Sequence, residues 1–529
     1  MKSKRFIFSK VVSVFFFLIL FASCKKEVAS VSKTSSPNII YILADDLGYG
    51  DVGAYGQTKI ETSNIDALAK QGMLFTQHYS SAPVCAPSRY MLMTGLHSGH
   101  AYIRGNDPWS SRGDVLNYLA MAKDSTLEGQ RPMEENTITF PMKLQEKGYK
   151  TAIYGKWGLG APHTHSIPTR MGFDEFYGYN CQRQAHTYYP LHLYENEHRV
   201  HLNNDTIVPS RKLNKDADPL VVSSYEDYSL NEYAPDLMFD ALTSFIDRNK
   251  ENPFFVYWAT PLPHMPLQAP KEWVDYYIEK FGDEAPYVGG KGYYPNRNPR
   301  ATYAAMISYL DSNVGKLIDQ LKKEGLYDNT LIVFTSDNGP TYNGGTDTEW
   351  FDSAKPFDGS YGRGKGFVFE GGVRIPMIAS WPNRIAKGSA SDHVSVQYDV
   401  FDTMNDIVGF NESPKTDGVS FLPTLLQEET QEKHSFLYWE FPEYGGQVAI
   451  RMGDWKVIWK DLKNNKKTST VSVYNLDNDP KEENDVANES PEIIKKAFEI
   501  YKMEHSESEF ERFKLQLTRD NAFNTGISS

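Results

Sequence analysis

Four groups of polar residues each follow an apolar run of strand length. Asp45-Asp46 follow Asn38–Ala44, Lys156 follows Thr151–Tyr154, His264 follows Pro253–Ala259, and Asp337-Asn338 follow the run that starts at Thr330. Continuous apolar runs of this length mark strands buried on both faces in a parallel sheet. Open α/β sheets bind their ligands at the carboxyl ends of such strands. A lone Asp after a strand is ordinarily a cap or turn residue, but four strands delivering charged or metal-binding groups to one edge predict a site. Asp45, Asp46, Asp337 and Asn338 supply only hard oxygen donors, which suits calcium or magnesium and disfavours zinc. Three crowded carboxylates would also repel one another unless a divalent cation sat between them.

A further cluster is Cys85-Ala86-Pro87-Ser88-Arg89, continued to Thr94-Gly95. By itself it reads as a buried thiol near a helix start or as a reactive group. The elements that must position these residues alternate. Helical patterns lie at 64–71 after a Ser63 cap, around 137–146, 234–247 and 303–323, between the strand candidates. That alternation predicts an α/β fold with a mostly parallel central sheet sandwiched by helices. After about residue 425 short strand candidates at 436–441, 448–452, 455–459 and 471–474 follow in meander spacing, with a helix near 491–503. The expected organisation is therefore a main α/β domain over 37–425 and a smaller C-terminal α+β subdomain over 426–529 carrying an antiparallel sheet.

The chain has 529 residues, 40% hydrophobic and 13% aromatic, which excludes disorder, coiled coil and collagen. Its net charge of −13 argues against nucleic-acid binding and requires any anionic substrate to be caught by local Lys and Arg. Three cysteines cannot form a disulfide framework. Lys2, Lys4, Arg5 and Lys10 lead into an apolar run from Val11 to Phe21, too short to span a bilayer comfortably, as in a signal peptide over 1–23. Leu20-Phe21-Ala22-Ser23-Cys24 resembles the lipobox of bacterial lipoproteins, although Phe21 departs from it. Cys24 is the expected lipidation site, with 24–36 a flexible tether; an ordinary secretory leader with a chance Cys is the alternative. The protein is expected to be exported, to the periplasm or outer membrane of a Gram-negative bacterium, and to meet a membrane only through that lipid. Calcium is then the better fit of the two hard cations.

Cys-x-Pro-Ser-Arg followed by Thr-Gly resembles the signature of the type I sulfatases, members of the alkaline phosphatase superfamily. The resemblance extends through Asn38–Asp51, Gly155-Lys156-Trp157-Gly158-Leu159-Gly160, Gly172-Phe173-Asp174, Ser336-Asp337-Asn338-Gly339, Gly364-Lys365-Gly366, Glu370–Pro376 and Tyr474–Pro480. It implies the alkaline phosphatase/sulfatase-like fold and a Cys85 converted to formylglycine (3-oxoalanine) before folding, by a formylglycine-generating or anaerobic sulfatase-maturating enzyme. It implies one calcium held by Asp45, Asp46, Asp337, Asn338 and residue 85. Arg89 would steady that residue, Lys156 and Lys365 would hold sulfate oxygens, and His264 would donate the leaving-group proton. Gly158 stands where the family commonly has a histidine that deprotonates the hydrated nucleophile during sulfate expulsion; His163, His165, a carboxylate and water are the candidate substitutes, and the sequence does not decide among them.

The substrate implied is a sulfated glycan, a galactose or N-acetylgalactosamine O-sulfate. Two segments are candidate sugar contacts: His97–His100 with Arg104, Gly105 and Asn106, and Cys181–Tyr189 with Arg183 and His186. Polar rim loops are the alternative for each, and Cys181 is expected to be a free thiol. Two other functions stay open on sequence: a phosphate-ester hydrolase of the same superfamily, and a non-catalytic glycan-binding lipoprotein.

Overall fold

The first apolar run forms strand β1 (Asn38–Ala44), all seven residues buried. It lies between β8 (Phe254–Ala259) and β9 (Thr330–Ser336), parallel to both, so Ile39 faces Phe255 on one side and Leu331 on the other. Isoleucines suit this position because β-branched side chains pack well on a pleated surface covered on both faces. Alternate residues serve opposite cores: Ile39, Tyr41 and Leu43 join one apolar cluster, and Ile40, Ile42 and Ala44 the other.

The full sheet has ten strands in the order β11-β2-β10-β9-β1-β8-β4-β5-β6-β7. Besides those named, these are β2 (Met73–Phe75), β4 (Lys150–Lys156), β5 (Glu175–Tyr179), β6 (His192–Glu195), β7 (His198–His201), β10 (Met377–Ser380) and β11 (Ser389–Ser391). β9, β1, β8, β4 and β5 are mutually parallel, whereas β10, β6 and β7 pair antiparallel to their neighbours. Two short strands, β3 (His78–Tyr79) and β12 (Ser395–Val396), pair separately. Helices Ala234–Asn249 and Pro299–Lys323 cover one face, and Cys85–Thr94, Phe140–Glu146 and Val400–Val408 the other. The computed structural model describes residues 36–290, 292–463 and 468–526; the leader, Cys24 and the tether through residue 35 lie outside them.

Helix α1 (Ser63–Gln71) starts one residue earlier than the sequence predicts, with Thr62 as its cap position. The reason is tertiary. The Asp311 carboxylate, from a helix far along the chain, accepts the amides of Asn64 and Ile65, so the helix end needs no cap from Ser63. Helix α2 (Cys85–Thr94) is buried along its whole length and ends at Gly95, whose φ of +72° only glycine adopts at little cost. Pro87 is tolerated because it sits in the first turn, where its missing N–H has no helical partner.

Beyond residue 436 the chain forms an antiparallel meander, β13 (Leu437–Phe441), β14 (Gln447–Met452), β15 (Trp455–Lys460) and β16 (Thr470–Asn475), backed by helix Pro491–Glu504. The meander is not loosely appended, since Pro37–Ser529 packs as one unit. Lys456 of β15 is fully buried and pairs with Glu370 at 2.8 Å and Glu482 at 3.1 Å; Glu370 also pairs with Arg374 and accepts the Tyr79 hydroxyl. Breaking one partner of such a network leaves an unpaired charge in the interior, at a cost of about 3–5 kcal/mol.

Candidate active site

Each parallel strand of the sheet centre ends at the same edge, and the side chains beyond those ends converge. Asp45 and Asp46 leave β1, Lys156 closes β4, and Asp337 and Asn338 leave β9. The Asp337 amide donates to the Ala44 carbonyl and the Asp46 amide to Asp337 Oδ1, which locks the two strand ends together. Asp46 adopts φ +65°, a left-handed turn, and its carboxylate stays close to that of Asp45, with ligand oxygens within 4.8 Å of each other. Cys85 enters from the start of α2, and its thiol donates to Asp45 Oδ1 at 3.4 Å.

Three cations surround these carboxylates. Arg89 is buried and forks onto Asp337 Oδ2, at 3.1 Å from Nε and 2.9 Å from Nη2, while Nη2 also reaches Asp45 Oδ2 at 3.1 Å. Lys156 Nζ lies 2.6 Å from Asp45 Oδ2. Lys365 Nζ lies 2.7 Å from Asp46 Oδ2 and 3.7 Å from Cys85 Sγ. Burial would raise the Asp45 carboxyl, yet Lys156, His264 and Arg89 hold it well below the usual range. Asp337 goes the other way: burial and the neighbouring Asp45 charge push it up to about 6. Asn338 donates its amide to Asp46 Oδ1 at 2.8 Å, but its own Oδ1 is buried with no hydrogen-bond donor. An orphan carbonyl beside three carboxylates is the donor set of a hard divalent cation, and these residues fit calcium. Chelating divalent cations is expected to lower the melting temperature and added calcium to restore it, by the equivalent of about 2.7 kcal/mol at a hundredfold excess over Kd. An unchanged melting temperature after chelation would remove the ion from the site.

Above this floor opens a cleft of about 240 Å³, lined by Cys85, Asn106, Lys156, Arg183, His186, His264 and Lys365 among others. His264 Nδ1 lies 2.6 Å from the Met265 carbonyl, so Nδ1 carries the proton there and Nε2, 3.7 Å from Asp46 Oδ2, faces the floor. His186 stacks on His264 with centroids 5.5 Å apart, and Tyr293 packs against both rings. Burial, followed by Lys365, holds the His264 ring neutral; burial, followed by His264 itself, does the same for His186. Arg183 Nε and Gln182 Nε2 are buried in the cleft wall without acceptors, as polar groups awaiting a ligand would be.

The structure does not bring all the sequence candidates here. Arg104 is buried elsewhere, paired with Glu440 at 3.1 Å and donating to the carbonyls of Ala101, Gly99 and Ser506, so it staples the loop after α2 to the C-terminal meander. His100 pairs with Asp417 at 2.9 Å and stacks on His97. Neither lines the cleft, which corrects the expectation that they touch a sugar there. Asn106 does line it, and its Oδ1 accepts the Ala86 amide at 3.3 Å. Cys181 is a free, buried thiol packed with Tyr118 and Met121.

Nor do the two histidine candidates for replacing the missing one reach the site. His163 Nε2 contacts Ser125 Oγ and His165 Nε2 the Met133 carbonyl, both at 2.9 Å and both outside the cleft lining. Alanine at either position is expected to leave kcat/KM unchanged; a loss of turnover in one of them would return it to the mechanism. Gly158 itself has φ +74°, and a Cβ there would stand 3.0 Å from Gln182 Cγ. Gln182 thus occupies the space a side chain at 158 would need. Sequence reasoning also missed Tyr293, Tyr342 and Tyr444, which line the cleft from loops without periodicity or motif.

Comparison with known proteins agrees with this geometry. A family model described as Sulfatase matches residues 37–410, and one described as N-sulphoglucosamine sulphohydrolase, C-terminal, matches 359–506. Human N-acetylgalactosamine-6-sulfatase is 30% identical, over 84% of this chain and 78% of its own length. The N-acetylgalactosamine-6-O-sulfatase of Bacteroides thetaiotaomicron is 28% identical, over 91% and 96%. The crystal structure of Ps i-CgsB in complex with k-i-k-neocarrahexaose superposes with a TM-score of 0.70 at 28% identity, covering 92% of this chain and 97% of that one. Asp45, Cys85, Lys156, His264, Asp337 and Lys365 all fall inside the region matched by the first model. The chain belongs to the sulfatase family, within the alkaline phosphatase superfamily, and is a sulfuric ester hydrolase.

Proposed function

We propose that this protein removes sulfate from a sulfated carbohydrate, a galactose or N-acetylgalactosamine O-sulfate, through a formylglycine formed at position 85 and a bound calcium ion. The observation that carries this reading is the meeting of Cys85 with three carboxylates and two lysine ammonium groups on the floor of one cleft. Burial and the Asp45 charge push the Cys85 thiol well above its ordinary range, so the unmodified side chain stays protonated and is a poor nucleophile. Conversion to the hydrated aldehyde would supply a hydroxyl nucleophile, and calcium would supply a Lewis acid that acidifies it and draws charge from a sulfate oxygen.

The chain's own residues do the rest. Lys156 and Lys365 line the cleft with residue 85 as point charges and neutralise the sulfate oxygens as the ester binds. Arg89 holds Asp45 and Asp337 in place through its fork, keeping the metal ligands oriented. His264 presents Nε2 toward the same floor; the neutral ring carries its proton on Nδ1, so it acts as an acid once Nε2 has taken up a proton as the anionic ester binds, and that proton then passes to the departing sugar oxygen. His186, Arg183 and Asn106 offer the sugar polar contacts on the cleft wall. The glycan substrate class is supported by the relatives, named for N-acetylgalactosamine sulfate esters, and by the bound neocarrahexaose of the structural neighbour. Export as a lipoprotein on Cys24, maturation by a formylglycine-forming enzyme, and a catalytic domain over 37–425 with a C-terminal subdomain over 426–529 belong to the same proposal.

Peptide mass spectrometry across Cys85, on protein from its own host or one with a known formylglycine-generating enzyme, tests the nucleophile. An aldehyde at position 85, with sulfate released from a galactose-type sugar sulfate, is the expected result. A fully unmodified thiol in a competent host would overturn it and favour a glycan-binding lipoprotein.

A further inference from the structure

The cleft continues past its floor. Tyr342 lines it and also lines a second, larger groove of about 660 Å³, walled by Tyr287, Val288, Gly345, Thr346 and Arg300 among others. The Tyr342 ring is fixed from behind, because its hydroxyl donates to the Lys365 carbonyl at 3.1 Å. Tyr361 packs edge-on against it, with centroids 4.9 Å apart at 83°. Tyr361 is 75% exposed, more than any other large apolar side chain among the described residues. The row of rings goes on through Phe367, 5.9 Å from Tyr361, to Tyr444, 5.5 Å from Phe367 and 48% exposed at the cleft lip. Wet aromatic rings in a row contribute little to folding, and exposed apolar surface rimming a polar cleft marks a binding surface.

The charge on the two sides of Tyr342 differs in sign. The floor presents Lys156 and Lys365, whereas the groove presents Asp283, Glu284 and Asp347 against Arg300. These acids are held where they stand: Arg297 pairs with Asp283 at 2.7 Å, Arg300 with Asp347, and Glu284 accepts the amides of Arg300 and Ala301. A sulfate or uronate lying in the groove would face an excess of fixed negative charge. A neutral pyranose would not, and its apolar C–H face suits an aromatic platform.

We infer that the groove beyond Tyr342 binds an uncharged neighbouring sugar of the glycan against the Tyr342 and Tyr287 rings that line it. The protein is thereby selective for a sulfated sugar linked to a neutral one. This inference rests on the sulfated-carbohydrate reading above and adds the identity of the adjoining residue.

The test compares kcat/KM on three substrates: a galactose-type monosaccharide sulfate, the same sugar linked to a neutral sugar, and the same sugar linked to a sulfated or uronic neighbour. The neutral-linked substrate is expected to be preferred over the other two by about tenfold, the size of one good aromatic contact. Tyr287→Ala, and Val288→Trp to block the groove, are expected to remove that preference while leaving the monosaccharide rate intact. Neither residue lines the cleft; Val288 is exposed and Tyr287 half-buried, and a melting temperature unchanged in Val288→Trp keeps the test free of folding effects. Equal rates on all three substrates in the unaltered protein would overturn the subsite and leave the sulfatase reading standing. So would variants that slow monosaccharide and extended substrate alike. Hydrolysis of none of the three would overturn the substrate reading, and this inference with it.

Discussion

Cys85→Ala is expected to reduce turnover of a sugar sulfate by about 10⁴-fold or more, the scale of losing a nucleophile whose supporting groups cannot act alone. Lys156 and Lys365 would still bind the ester, but nothing would attack sulfur. KM would therefore move far less than kcat. The substitution removes one buried sulfur atom from the first residue of α2 and no charge, so the fold should persist. A melting temperature within a few degrees of the parent, the span of about 1 kcal/mol, would show it. Initial rates on a galactose-type sulfate and on a generic aryl sulfate are the measurement. A variant that kept a tenth of the parent rate would show that another group attacks.

His264→Ala is expected to show a different pattern. Loss of a general acid costs about 10²- to 10⁴-fold when the leaving group is a sugar alkoxide, a strong base that departs poorly without a proton. An activated aryl sulfate departs as a stable phenolate, so the same variant should lose much less on it. The geometry gives the expectation its force: one ring nitrogen is tied to the Met265 carbonyl, and the ring is held between His186 and Tyr293, leaving Nε2 a single direction in which to act. Equal losses on both substrates would make His264 a binding residue.

The floor of the site is legible in the sequence for a physical reason. Strands buried on both faces must be apolar throughout, so the polar residues at Asp45, Lys156 and Asp337 stand out as the point where each strand meets solvent or ligand. Cys85 and Arg89 are legible because both lie in one short motif, and the α/β alternation follows from helix and strand periodicity. The cleft walls are not legible. Arg104 looks like a surface group until Glu440 and Ser506, far along the chain, close over it. Tyr293, Tyr342 and Tyr444 come from loops whose side chains obey no period. That neither His163 nor His165 reaches the cleft, and that Gln182 folds back against Gly158, depends on tertiary packing that sequence could not supply. The antiparallel edge strands β6 and β7 were invisible for a similar reason, being short and half polar.

The strand order carries a consequence in time. Cys85 is sealed only when β1 lies between β8 and β9 and Lys365 has come to rest beside it, and Lys365 is 280 residues downstream. At about 5–20 residues per second of synthesis, that separation corresponds to roughly 14–56 s during which the segment cannot be buried in its final form. Strand pairing across so long a loop is itself slow. If residue 85 is converted as proposed, the modifying enzyme works within an interval that the topology guarantees. The yield of active protein then depends on how fast the chain closes relative to how fast it is visited, so that a slower-folding sequence can give the more fully active population.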